Sequence, residues 1–183
     1  MTRTRYLIFL LILLCVSRMT YAQSIDFTDR HITEQMWVVN DGVMGGISQS
    51  KIRHDTEGVI IEGVVSLENN GGFASARGPA AFDTNISVLE LMVKGDGKRY
   101  KFILRTDALP RTPMYQAEFV ATGDWTRIRF RPDYFKASFR GRAVSAPELS
   151  FSDVKEMGVL IADQQAGPFH LQLKYLRAVA GTP

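Results

Sequence analysis

Cysteine is nearly absent from this chain, with Cys15 alone among 183 residues, and histidine is scarce, with His31, His54 and His170 far apart in sequence. No His-Glu-x-x-His spacing, no Gly-x-Ser-x-Gly elbow and no Asp-x-Asp-x-Asp-Gly loop occurs. These gaps argue against a disulfide scaffold, a thiolate-zinc centre, an EF-hand calcium loop and an ordinary hydrolase. Low-complexity segments, internal repeats and linkers are also missing, so nothing divides the chain into separate domains.

What the chain does have, at its start, is an export-type leader. Arg3 and Arg5 precede an apolar run from Tyr6 to Val16, and Thr20-Tyr21-Ala22 forms a small-x-small cleavage site, which places the mature start near Gln23. An 11-residue run is well short of the roughly 20 residues that a membrane-spanning helix needs. The competing readings are an uncleaved anchor, because Arg18 interrupts the approach to the cut site, and a lipid-modified Cys15, which Leu14 disfavours by its size. A mitochondrial presequence would be amphipathic, and this run is uniformly apolar. The expectation is an exported protein, periplasmic or secreted, with residues 23–183 as one domain and no transmembrane segment in the mature chain.

Removing residues 1–22 changes the charge argument. The full chain has 22 Lys+Arg against 19 Asp+Glu, a net +3. Arg3, Arg5 and Arg18 leave with the leader and no acidic residue does, so 19 basic face 19 acidic side chains. A neutral remainder offers no electrostatic footprint for nucleic acid. Cys15 leaves too, and the 161 residues that remain must be held by their core, burying roughly 70% of their unfolded surface.

Period-two alternation runs through most of that remainder. Leu89, Leu91 and Val93, then Tyr100, Phe102 and Leu104, then Phe169, Leu171 and Leu173 each alternate with residues of the opposite face. Ile47–Arg53, Gly58–Leu67, Gly72–Arg77, Met114–Ala121, Trp125–Arg131 and Met157–Ala162 are further strand candidates, bounded by Asn/Gly and Gly/Pro turn signals. About ten strands without a long helix predict an all-β antiparallel sandwich. Short helical turns are expected around Asp29–Gln35 and Pro147–Lys155. Gly95-Asp96-Gly97-Lys98 resembles a phosphate loop but lacks the upstream glycine and the Ser/Thr after the lysine, so a hairpin turn is the expectation. Arg127, Arg129 and Arg131 share one strand face, which is either a solvated exterior or a surface for an acidic partner.

The most unusual stretch is Trp37-Val-Val-Asn-Asp-Gly-Val-Met-Gly-Gly-Ile-Ser48. Its glycines, 42, 45 and 46, mark a tight, shaped loop that would hold Asp41 in a fixed pose. Asp41 is then either a turn-former bound to nearby amides or a presented functional carboxylate. Trp37 either fills the core or offers its face to a ligand.

With SLENNGGFASARG at Ser66–Gly78, KGDGKRYKFILRTD at Lys94–Asp107, FRGRAV at Phe139–Val144 and GVLIADQQAGPFHLQL at Gly158–Leu173, this stretch completes five ordered blocks. Together they resemble the complex I intermediate-associated protein 30 family. The resemblance implies a galactose-binding-like jelly roll without an established catalytic activity, whose best-described members help assemble respiratory complex I. In such a fold, loop and strand-end residues converge on one sheet face, which makes Trp37, Asn40, Asp41, Arg77, Arg105, Tyr115, Arg140, Arg142 and Asp163 candidate binding residues. Arg140 and Arg142 are also expected as structural clamps on the Asp41 or Asp163 carboxylate. No catalytic residue, metal ligand or cofactor is assigned. The expected function is non-catalytic binding of a protein partner or membrane-complex assembly intermediate, acting in assembly or chaperone-like. The alternative is a carbohydrate-binding module of the cell envelope, with an enzyme built on Asp41, Asp163 and the arginines a third reading.

Overall fold

The computed structural model describes residues 21–106 and 112–180. They form thirteen strands in two antiparallel sheets: β1 Tyr21–Asp26, β2 Trp37–Asn40, β3 Gln49–Asp55, β4 Gly58–Val65, β5 Ala74–Pro79, β6 Ile86–Gly95, β7 Arg99–Arg105, β8 Met114–Val120, β9 Thr126–Phe130, β10 Lys136–Phe139, β11 Arg142–Ala143, β12 Glu156–Ile161 and β13 Gly167–Ala180. One sheet has the order β3-β4-β13-β6-β9, with β1 also on β13, and the other β11-β10-β8-β7-β12-β5-β2. The all-β antiparallel sandwich expected from the alternation is the fold. Residues 1–20 of the leader lie outside the described residues, and Tyr21 and Ala22 begin β1, ahead of a register shift at Gln23.

Alternation decides which side chains meet between the sheets. From the six-stranded sheet Val59, Ile61, Leu89, Leu91, Leu171 and Leu173 point inward. From the seven-stranded sheet Tyr100, Phe102 and Leu104 meet Met157, Val159 and Ile161 on β12. Phe102, Phe130, Phe135 and Phe151 add tilted and edge-on ring contacts at centroid distances of 5.1–6.0 Å. This one core serves both sheets, and with no disulfide available it is where folding stability resides.

One local expectation changes, and both expected helical turns form. Gly95–Lys98 is not a hairpin turn: β6 ends in one sheet and β7 starts in the other, so the turn is a corner between sheets. Gly97 takes φ +85°, its N–H donates to Ala121 O, and Asp96 accepts from Tyr100 Oη and His170 N. Glycine turns serve both purposes, and a strand pattern does not say which sheet comes next. Asp29–Gln35 yields a single helical turn, α1 Arg30–Glu34, N-capped by Asp29. Pro147–Lys155 yields only the 3-10 turn Phe151–Asp153.

Candidate functional site

Asp41 follows β2 and opens a 3-10 turn, Asp41–Met44, which Gly45 ends at φ +93°. Its side chain is fully buried. One carboxylate oxygen accepts from Ser48 N at 2.9 Å, and the other from Gly72 N at 2.6 Å, Phe73 N at 3.2 Å and Ser48 Oγ. Ser48 Oγ in turn accepts from Ser66 N. Three chain segments therefore close around one anion. A Cβ on Gly46 would stand 2.4 Å from the carboxylate and one on Gly71 2.7 Å, so both glycines are required by close approach. Burial pushes the Asp41 carboxyl upward, but bonds from Ser48, Gly72 and Phe73 outweigh it and hold the group below its ordinary value. It is a turn-forming anchor that faces inward.

The loop it anchors turns its apolar side chains the other way. Val43 is 75% exposed and Met44 57%, with Ile47 also exposed, and Leu67 and Val64 are exposed on the segment that leads to Gly72. Among the described residues, most exposed large hydrophobics fall on β2, this loop and the end of β4 and the segment after it.

The outer face of the seven-stranded sheet holds the next candidates. Strand pairing aligns Trp37, Arg77, Gly158, Ile103, Gln116 and Lys136 across it. Trp37 is 42% exposed and lies opposite Arg77, so it does not fill the core. Arg77 approaches Glu156 at 3.5 Å, while its Nε is buried and unpartnered. Burial pulls its guanidinium down, with Glu156 opposing and Arg105 adding to the effect. Arg105 stands opposite Glu156 and donates to Thr112 Oγ1 at 3.1 Å. Beyond Gly158 in the row of Arg77, Ile103 is buried despite facing outward, so the middle of this face is closed. Farther along, Gln116, Glu118, Tyr134 and Lys136 line a groove of about 270 Å³.

The remaining candidates scatter. Asn40 Oδ1 accepts from Ser50 Oγ on β3 at 2.7 Å. Tyr115 points inward at the sandwich edge and donates to Pro147 O at 2.8 Å, beside a cavity of about 500 Å³ lined by Phe135 and residues 144–149. Arg140 and Gly141 are the two-residue turn between β10 and β11, both at positive φ. The expected arginine clamp does not form: Asp41 is held by amides and Ser48, Asp163 by Lys101 at 2.8 Å, while Arg140 lies over the Phe139 ring. The nine candidates thus fall into a structural anchor, one sheet face and separate edges. Sequence reasoning missed Val43, Met44, Ile47 and Leu67 as a displayed apolar set, and missed Glu156 as the partner of Arg77. The paired glycines at 45–46 and 71–72 were the available signal for a shared carboxylate.

The arginine stripe on β9 has partners inside the chain. Glu90 on β6 is fully buried although it faces outward, with Arg129 Nε at 3.0 Å and Arg127 at 3.8 Å. Arg131 pairs with Asp133 at 2.8 Å. Among the described residues no three His, Cys, Asp or Glu side chains form a metal-holding group.

Comparisons with known proteins agree with the architecture. Among curated proteins none matches in sequence. The family 11 carbohydrate-binding module of the cellulosomal cellulase Lic26A-Cel5E of Clostridium thermocellum is similar in structure, with TM-score 0.62 and 12% identity over 88% of this chain and 97% of that one. The family 11 module from the same organism in complex with a β-1,3-1,4-mixed-linked tetrasaccharide gives TM-score 0.54 at 12% identity, over 79% and 88%. At such identity the likeness is one of fold: a galactose-binding-like jelly roll. The family model for Complex I intermediate-associated protein 30 (CIA30) matches residues 25–173, spanning all five sequence blocks, and the chain belongs to that family.

Proposed function

We propose that the protein is an exported, non-catalytic binding protein that acts in protein-complex assembly or in a chaperone-like way. Membership of an assembly-factor family supports the class of function. The observation that carries the reading is the loop over the buried Asp41, which fixes its own backbone and turns Val43, Met44 and Ile47 to solvent. Exposed apolar surface on a loop pinned in this way favours docking by another protein. The leader motif supports export. An exported protein would lie opposite the soluble arm of complex I, so a membrane complex in general is preferred to complex I in particular.

The test is complementation of a deletion strain with the wild-type protein or with Val43→Asp/Met44→Asp, after both proteins are shown to melt alike. Native gels of the membrane fraction are expected to show subassemblies in the deletion strain, cleared by the wild type and left by the double variant. Membrane complexes that are unaffected by the deletion would sink the reading.

A carbohydrate-binding function is the second reading, favoured by Trp37 beside the unpartnered Arg77 Nε. The buried Ile103 at the centre of that face limits the room for a sugar chain. Titration with cell-envelope sugars decides it, and no heat or shift on addition counts against it.

A further inference from the structure

Five strands have a neighbour on one side only: β3, β9, β11, β2 and β1, the last carrying the charge of Asp26. Edges are templates for foreign strands, and proteins blunt them with charge, proline or brevity. Strand β3 carries Lys51, Arg53 and Asp55, β9 carries Arg127 and Arg129, and β11 is two residues long. Strand β2 is Trp-Val-Val-Asn, with no charge and no proline.

The ladder leaves the outer side of β2 open. Asp41 N donates to Phe73 O at 3.3 Å, continuing the β2–β5 register in which Val39 faces Ser75 and Trp37 faces Arg77. Hydrogen-bonded pairs recur every second residue in an antiparallel ladder, so Trp37 and Val39 bond β5 while Val38 and Asn40 direct their N–H and C=O outward. Among the described residues neither outward peptide group has a hydrogen-bond partner. The side chains say the same. Along the inward row Phe102, Val159 and Ala76 are buried, yet Val38 at the end of that row is 40% exposed. A strand position beyond it is unfilled.

We propose that β2 is the edge onto which a partner protein adds an extended strand; this rests on the protein-binding reading above and names its mode. The occupant is an uncharged segment with apolar side chains at alternate positions. Its main chain meets the peptide groups of Val38 and Asn40, one set of side chains sits beside Trp37, and the other covers Val38. A second copy of this chain fits less well. Two four-residue strands bury far less than the roughly 800 Å² per partner of a stable interface. A longer partner can continue onto Val43 and Met44, which lie just past β2.

The test uses residues 23–183 and a display library of random twelve-residue peptides, with Val38→Pro as the discriminating variant. Proline at this position removes an outward N–H and no bond to β5, so the sheet is retained, which the melting temperature verifies. Enriched peptides are expected to be uncharged and to alternate apolar residues. They should bind V38P about tenfold more weakly, the loss of outward main-chain bonding, and slow amide exchange at Val38 and Asn40 of the wild type. Peptides that bind V38P equally, exchange that does not change, or a library that yields no binder would each overturn the proposal. The same variant separates the two claims in the deletion strain. If V38P clears subassemblies while Val43→Asp/Met44→Asp does not, the assembly reading stands and strand addition fails.

Discussion

Among the described residues two carboxylates are fully buried, Asp41 and Glu90, and they are satisfied by opposite means. Asp41 is closed in by backbone amides and one serine hydroxyl from its own loop and from residues 72–73. Glu90 lies on an outer sheet face under arginines. The first arrangement uses no cation, and its by-product is a stiff loop with apolar side chains outside. The second engages the cations of β9, so a stripe that looks like a surface for acidic partners is already partly neutralised within the chain. Where the anion takes its hydrogen bonds therefore decides what each surface has left to offer. One end of the sandwich offers apolar contact, and one face offers little.

Removing the Asp41 carboxylate breaks this comparison most severely. Asp41→Ala leaves the amides of Ser48, Gly72 and Phe73 and the Ser48 hydroxyl without their acceptor, at about 1–3 kcal/mol for each buried group left unmade. A total loss of about 3 kcal/mol or more is expected in denaturant unfolding. Binding by the Val43–Ile47 loop should disappear with it, because the loop has lost its pin. A variant as stable as wild type would show that the glycines alone shape the loop.

The second test converts one region toward what its sequence suggested. Glu90→Gln keeps the shape and removes the charge that Arg127 and Arg129 share. Both guanidiniums are half exposed and solvent-screened, so about 1 kcal/mol is expected. Surface behaviour should change more than stability: E90Q is expected to be retained longer on a sulfonated cation-exchange column than wild type, beyond the change expected from one unit of net charge, as measured against the exposed control Glu68→Gln. Equal retention of the two variants would mean that Glu90 does not mask the stripe.

Much of this was legible in the sequence, and the misses have physical causes. Leu89, Leu91 and Val93, or Tyr100, Phe102 and Leu104, announce strands because burial on one face imposes a period of two. The glycine cluster announced a shaped loop around Asp41. Which way that carboxylate points was not legible, since an anchor and a ligand-binding group use the same residue type; the choice depends on Gly72 and Phe73, about thirty residues away. The corner at Gly95–Lys98 and the Glu90 cluster were hidden for the same reason. Strand order lies in long-range pairing, and single-strand periodicity does not carry it. Strands β2, β10 and β11 are four residues or fewer, too short for alternation to reveal.

The smallest expected effect concerns acid. Glu62, on the outer face of the six-stranded sheet, receives Arg53 through Nε and Nη2 at 2.9 Å each and Lys51 at 3.1 Å, and these bonds lower its carboxyl to about 2. Asp41 is lowered as well, but by amides and a hydroxyl once burial is overcome. A carboxyl lowered by folding binds fewer protons in the native state than in the unfolded chain. Its stabilisation is whole above the unfolded value and fades as pH falls through the folded one. The unfolding midpoint is therefore expected to stay level from pH 7 to about 5, and then to decline from the ordinary carboxyl range toward about pH 2. Salt separates the two sources: Glu62 sits among exposed cations and its share should shrink at high ionic strength, while Asp41 is buried among dipoles and its share should persist. Glu62→Gln should reduce the salt-sensitive part of the acid decline, leaving the share of Asp133 under Arg131 and the salt-resistant rest. If high salt abolished the whole decline, Asp41 would be held by exposed charge after all, and the contrast between a carboxylate held by amides and one held by cations would fail.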